Sequence, residues 1–215
     1  MDLIWESSYG RASVDRICDR ANIKKGTFYH HFESKEQLAL EALDSQWSSM
    51  KHEYDAIFSP LNAPLDRLRQ CFRKNLKKQR EMRDKVGFVC GCPLATIGSE
   101  ISTMEPALRF KVEGLMAQFV TYIESALRDA HRQGLANVPN PLRTAQIIVD
   151  YAEGAQTRAR IINDLTPIEQ IEAGAMTILG VLEAPTPPAK PSVQLKPTDR
   201  SVSTEHSLAS AEALV

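Results

Sequence analysis

Apolar residues recur along nearly the whole chain at helical spacing, and no segment sustains the period-two alternation of β-branched and aromatic residues that marks a strand. The pattern predicts an all-α fold. A short first helix fits residues 2–7 and ends in a turn through Tyr9 and Gly10. A second follows Ser13, a suitable N-cap, with Val14, Ile17, Cys18 and Ala21 on one apolar face. A very short third helix fits residues 25–32. Ser34 and Gln37 then have the form of a capping box, opening a long helix through Leu40, Leu43 and Trp47. Beyond the break between Pro60 and Pro64 comes a basic helix over residues 65–83, interrupted by Gly, Cys and Pro in residues 87–93. After Pro106 the periodicity is clearest, with Leu108, Val112, Leu115, Met116, Phe119, Ile123 and Leu127 in a single stripe. Two further helices fit residues 141–163 and 167–182, each with a proline where a first turn tolerates it. From residue 184 onward five prolines punctuate a polar stretch that cannot bury enough apolar area to offset ordering. The expected organisation is a head over residues 1–47, a helical body over 48–183 and a disordered tail over 184–215.

Composition narrows the class. The 215 residues are 43% hydrophobic, enough for a substantial core. No apolar run is long enough to span a membrane, and the start lacks the basic flank and apolar stretch of a secretory signal, so a cytoplasmic protein without membrane association is expected. Four cysteines, Cys18, Cys71, Cys90 and Cys92, are too few and too scattered for a disulfide framework, and reduced thiols are expected. The net charge of -1 argues against indiscriminate polyanion binding, so any case for nucleic acid rests on a motif.

Residues 13–32 supply one. A helix, a turn through Asn22, Ile23 and Lys24, and a second short helix have helix-turn-helix spacing. Asparagine tolerates the left-handed conformation such a turn needs, and Ile23 is expected to plug the space between the helices. The second helix of such a unit enters the major groove, and Lys25, Gly26, Thr27, Tyr29 and His30 offer groups for bases and phosphates while Phe28 and Phe32 face inward. Ser13 and Lys35 stand at helix starts, where backbone N–H groups hold phosphates. The same residues also suit the surface of an ordinary helical bundle. Charge does not decide between the two, since residues 1–40 hold six Lys/Arg and six Asp/Glu.

The run from Tyr9 to Val14, then Ile17 to Ala21, Lys25 to Phe32 and Ser34 to Leu38, resembles the DNA-binding signature of the TetR family of transcriptional repressors. The resemblance implies Ser13, Lys25, Thr27, Tyr29, His30 and Lys35 at the DNA, with Tyr29 and Lys35 mainly on phosphates. It also implies a homodimer on a near-palindromic operator, and a small-molecule inducer bound by the body. Two departures bear on it. Lys24 replaces a small hydroxyl residue and cannot cap the recognition helix, though it adds a cation for phosphate. The family's first helix normally begins well ahead of Met1, so a shortened helix and a less well packed head are expected.

In the body, the stretch from Gly91 to Glu100 is similar to a G-C-x-x-x-x-x-G/S-x-E segment of one subset of these regulators, and the stretch from Tyr151 to Ala155 is similar to their eighth helix. With Pro93 in the first helical position, Cys92 is an N-cap. A helix N-terminus favours the thiolate, and Arg158 or Arg160 alongside would strengthen the effect, so Cys92 is a candidate sensor of electrophiles or oxidants. The alternative is an inert buried thiol. Cys90 and Cys92 without a histidine partner fall short of a metal site, and neither metal nor cofactor is expected. Phe72, Phe88, Met116, Phe119, Tyr122 and Tyr151 could line an apolar ligand pocket or simply fill the core. Nine Lys/Arg against three Asp/Glu in residues 65–85 read as a solvated face. Gly154, Ala155, Ala159, Gly174 and Ala175, beside Ile148, Ile162, Ile171, Ile178 and Leu182, suit a four-helix dimer interface. The reading is a ligand-responsive repressor. The competitors are a thiol-dependent enzyme, for which no Cys/His pair can be assigned, and a helical dimer with impaired DNA binding.

Overall fold

The computed structural model describes residues 2–101 and 105–181, and among them every regular element is a helix. Helices α1 (Asp2–Glu6), α2 (Val14–Ala21) and α3 (Lys25–His31) form the head. Helix α4 (Lys35–Ile57) leads from it into α5 (Pro64–Val86), α6 (Pro93–Ile101), α7 (Pro106–Arg132), α8 (Pro141–Ile162), α9 (Thr166–Glu169) and α10 (Ile171–Ile178). The tail expected from residue 184, and Leu182, lie outside the described residues.

Local chemistry sets the boundaries. The Ser13 hydroxyl accepts the Arg16 N–H (3.3 Å), and Asn22 closes α2 in the left-handed region (φ 53°). Ser34 caps α4 through the Gln37 N–H (3.0 Å), while the Gln37 Oε1 receives the N–H of Glu33 (2.7 Å), a capping box displaced by one residue. Pro64, Pro93, Pro106 and Pro141 open their helices, where a missing N–H costs nothing.

Helix α7 is the axis of the body, packed against α4, α5, α6 and α8. Its stripe buries Leu108, Val112, Leu115, Ile123 and Leu127, whereas Met116 and Phe119 are only half-buried because they face a cavity. Arg67 ties the start of α5 to α7: its guanidinium reaches Asp129 at 2.6 Å and donates to the carbonyls of Asn62 (2.9 Å) and Pro60 (3.2 Å).

Three expectations need correction. Ile23 does not plug the head, because the turn at Asn22 sends its N–H back to the Cys18 carbonyl and leaves the side chain at the exposed rim. The expected helix over 167–182 is two helices. They are separated at Gln170, whose carbonyl is shared between the Gly174 N–H (2.9 Å) and the Tyr151 hydroxyl (3.3 Å). Ile148, Ala159, Ile171 and Ala175 are buried within the protomer and cannot form a dimer interface.

Candidate functional site

On α3, Phe28 turns into the head and Phe32 is half-buried. Lys24, Lys25, Gly26, Thr27, Tyr29 and His30 are all exposed. The Tyr29 ring, 56% exposed, meets the Phe28 ring edge-on and leaves its hydroxyl outside. Lys24 occupies the N-cap of α3 with no side-chain hydrogen bond, as a residue without an acceptor must. Lys25 holds Asp15 of α2 at 2.7 Å, and this hydrogen-bonded pairing raises the lysine pKa. Ser13 is exposed but spends its hydroxyl on the cap. Lys35 points elsewhere than expected: its ammonium donates to the Tyr9 carbonyl (3.1 Å) and lies 3.9 Å above the Tyr9 ring. That side chain clamps the turn before α2 and would have to release it to reach a phosphate.

The head is fastened to the body at α6 and the loop before it. Glu100 accepts the backbone N–H groups of Tyr9 (2.8 Å) and Gly10 (2.7 Å). A Cβ at position 10 would stand 2.6 Å from the Glu100 Oε1, so the carboxylate occupies the space a side chain would need. Arg160 of α8 donates to the carbonyl of Ser7 (2.9 Å), the carbonyl of Cys90 (3.2 Å) and the Thr96 hydroxyl (2.6 Å). The Trp5 indole donates to the Gly91 carbonyl at 2.7 Å. Gly91 adopts φ +71°, and a Cβ there would approach the Gln156 carbonyl to 3.2 Å, which restricts the position to glycine.

Between α4, α5, α7 and α8 lies a cavity of about 750 Å³, with Cys92, Pro93 and Leu94 at one end. Trp5 of the head also lines it. Aromatic walls come from Trp47, Tyr54, Phe72 and Phe119, with Met116 beside them. Three lining side-chain oxygens have no hydrogen-bond partner among the described residues: Gln46 Oε1, Asn75 Oδ1 and Glu153 Oε2. Gln79 and Gln156 are buried and bonded into a chain that ends on the Gly91 peptide.

Cys92 does cap α6, its sulfur receiving the backbone N–H groups of Ala95 and Leu94, which favours the thiolate. Burial outweighs this, and the Glu153 carboxylate that accepts the thiol proton adds to it, so the pKa moves well above the ordinary cysteine value. The expected depression is therefore reversed. Arg160 is spent on Ser7, Cys90 and Thr96, and Arg158 is exposed. Burial likewise pushes Cys71 up to about 12.

Of the aromatic and sulfur residues expected at a pocket, Phe72, Cys92, Met116 and Phe119 line this cavity and three others do not. Phe88 sits exposed in the loop after α5, where the left-handed Gly87 turns the chain outward. Tyr122 is held away by its hydrogen bond to Asp55 and faces a separate hollow of about 300 Å³. Tyr151 packs into the space left by Gly174 on α10, where a Cβ would lie 2.1 Å from its hydroxyl. Sequence reasoning missed Trp47, Tyr54, Gln46, Asn75 and Glu153. The available signal was that Asn75 and Gln79 fall on the same helical register as the buried Leu68, Cys71, Phe72 and Met82. The basic run on α5 is largely paired, Lys74 with Glu53 (2.8 Å), Arg73 with Glu172 (2.6 Å) and Arg80 with Glu169 (2.7 Å). All four cysteines are free, and no group of metal ligands occurs among the described residues. No described helix is long and apolar enough to cross a membrane.

A helix-turn-helix head joined to a helical body with a cavity among its helices is the architecture of a one-component regulator, and the comparisons with known proteins agree. Residues 1–42 match the family described as bacterial regulatory proteins, tetR family, and residues 64–175 match the tetracyclin repressor-like C-terminal domain. The chain is 27% identical over 165 residues to the transcriptional regulator AcuR of Cereibacter sphaeroides, covering 75% of this chain and 73% of that protein. It is 21% identical over 179 residues to the HTH-type transcriptional repressor NemR of Escherichia coli, covering 82% and 88%. Among solved structures, a regulatory protein TetR from Rhodobacter sphaeroides superposes with a TM-score of 0.72 at 24% identity, over 81% of this chain and 92% of that one. The reduced form of NemR gives 0.70 at 19% identity, over 82% and 91%. The chain belongs to the TetR family and is a DNA-binding transcriptional regulator.

Proposed function

We propose that the protein is a ligand-released repressor that binds a near-palindromic operator as a homodimer. Each α3 enters a major groove with Lys25, Gly26, Thr27, Tyr29 and His30 toward the DNA, while Ser13 and Lys24 stand beside the phosphates. The observation that carries the coupling is Trp5. It lines the cavity and at the same time anchors the head to Gly91, so a ligand that moves the ring or the start of α6 displaces the head. Glu100 transmits the same motion from the far end of α6 to Tyr9 and Gly10. Ligand and operator then oppose one another reciprocally.

For the dimer, α8 presents Ile147, Gly154 and Ile161 at heptad spacing on its exposed side, Ile161 being 77% exposed, and Ile162 and Ile178 are exposed nearby in sequence. A monomeric mass at micromolar concentration would contradict this part. Cys92 faces the same cavity, which supports a second chemistry for release, slow modification by an electrophile or oxidant, since burial and Glu153 hold the thiol protonated. The test of the main reading is fluorescence anisotropy with duplex from the region upstream of the chain's own coding sequence. Binding should weaken steeply with salt and be lost in Tyr29→Ala, and binding that is indifferent to both refutes it.

A further inference from the structure

We infer that the cavity takes an organic cation, an ammonium compound with an apolar or aromatic body, an inference that rests on the cavity being the effector site. The three lining atoms without partners are all oxygens, so the wall asks for hydrogen-bond donors. For Asn75 the polarity is fixed by the backbone. The Gly91 N–H donates to Gln79 Oε1 (3.2 Å) and the Gly91 carbonyl accepts from Gln79 Nε2 (2.8 Å), which sets the orientation of that amide. Gln79 Nε2 then faces Gln156 Oε1 (3.4 Å), and Asn75 Nδ2 donates to the same oxygen (3.2 Å). A peptide cannot exchange its donor and acceptor, so the Asn75 oxygen is left as an acceptor on the cavity wall.

Glu153 adds charge. Its Oε2 has no partner, its carboxyl accepts from Cys92, and burial raises its pKa with no cation compensating. The three lysines that line the cavity near its charged rim do not supply that compensation: Lys74 turns to Glu53 at 2.8 Å, Lys77 to Glu81 at 4.0 Å, and Lys78 acts on Glu53, while no lysine contributes to the shift at Glu153. The Tyr54 ring already carries the Lys74 ammonium 4.8 Å from its centre, which shows the wall accepting a cation. A carboxylate, amide oxygens and the remaining rings of Trp47, Phe72 and Phe119 around one space are the surroundings that stabilise a desolvated ammonium, by charge-assisted hydrogen bonds and by the negative faces of the rings. A neutral ligand would leave the Glu153 charge uncompensated, and an anionic one would oppose it.

Calorimetry on the full chain with phenylbutylamine, phenylbutanol and phenylbutyrate tests this. The amine should bind about ten-fold or more tighter than the alcohol, the scale of one charge-assisted contact in a desolvated site, with the carboxylate weakest. Glu153→Gln should abolish the amine's preference, bringing amine and alcohol to within about two-fold of each other; if that variant fails to fold, the three-probe comparison on the parent still decides. Equal binding of amine and alcohol, tightest binding of the carboxylate, an amine preference that survives Glu153→Gln, or no binding of any probe would each overturn the inference. Operator anisotropy is read separately. Amine binding without operator release leaves the ligand class standing and removes the effector reading, whereas release by other compounds with no amine binding does the reverse.

Discussion

Glu100 and Gly10 form a pair whose coupling follows from two distances. The carboxylate receives the N–H groups of Tyr9 and Gly10 at 2.8 and 2.7 Å, the first partly buried and the second exposed. Hydrogen bonds to a charged acceptor contribute about 1.5–3 kcal/mol when sheltered, so Glu100→Ala should cost about 2–3 kcal/mol once the exposed bond is discounted. Gly10→Ala places a methyl group where the Glu100 Oε1 lies only 2.6 Å from the ideal Cβ. The alanine therefore has to push aside the flexible end of the Glu100 side chain, weakening its two hydrogen bonds, and should cost about 1–2 kcal/mol. With Glu100 already replaced by alanine the space is open, and Gly10→Ala should then cost little. A double-mutant cycle by urea unfolding, followed by the fluorescence of Trp5 and Trp47 at fixed protein concentration, should give a coupling of about 1–2 kcal/mol, inside the range seen for residues in contact. Additivity to within about 0.5 kcal/mol would refute the proposed clamp between head and α6.

Other outcomes follow from the same geometry. Asp15→Asn frees Lys25 and removes a negative charge from the proposed DNA face, so non-specific duplex affinity should rise and the salt slope steepen by about one; an unchanged slope in a salt titration contradicts it. Because the Cys92 thiol stays protonated at neutral pH, its alkylation in mass-spectrometric time courses should be slower than that of a free cysteine and should accelerate only as pH rises beyond the usual thiol range; fast labelling at pH 7 would show the opposite. Arg67→Met removes the buried guanidinium from Asp129, which keeps Arg132, and from the carbonyls of Asn62 and Pro60, and should cost about 2–3 kcal/mol in urea unfolding. Hydrogen bonds from Arg67 and then Arg132 hold the Asp129 pKa below its ordinary 3.8, so the pair contributes above that value and its contribution is lost as pH falls through the folded pKa. In Arg67→Met that acid-dependent loss should shrink.

How far the sequence could be read depended on the range of the interactions. Ser13, Asn22, Ser34 and the helix-opening prolines act within a few residues of themselves, and their helices begin and end where those residues predict. The outward face of α3 was legible for the same reason, since Phe28 and Phe32 fix which side is inward. Tertiary partners were not legible. The N-cap role of Cys92 is local and was read correctly, but the sign of its pKa depends on burial and on Glu153 from α8. Lys35 sits at a helix start as expected, yet Tyr9 captures its ammonium. Phe88, Tyr122 and Tyr151 have the residue type of a pocket wall, but Gly87, Asp55 and Gly174 determine where each one goes. Asn75 and Gln79 look like surface polar residues until their register with Leu68, Phe72 and Met82 is noticed.

The central claim, that α3 reads DNA as part of a symmetric repressor, is most directly tested by selecting duplexes from a random library with the full chain. The account predicts enrichment of an inverted repeat with half-sites about one helical turn, or a multiple of it, apart, and no such enrichment with Tyr29→Ala. Failure of the parent to enrich any sequence, or enrichment of the same sequence by Tyr29→Ala, would contradict it.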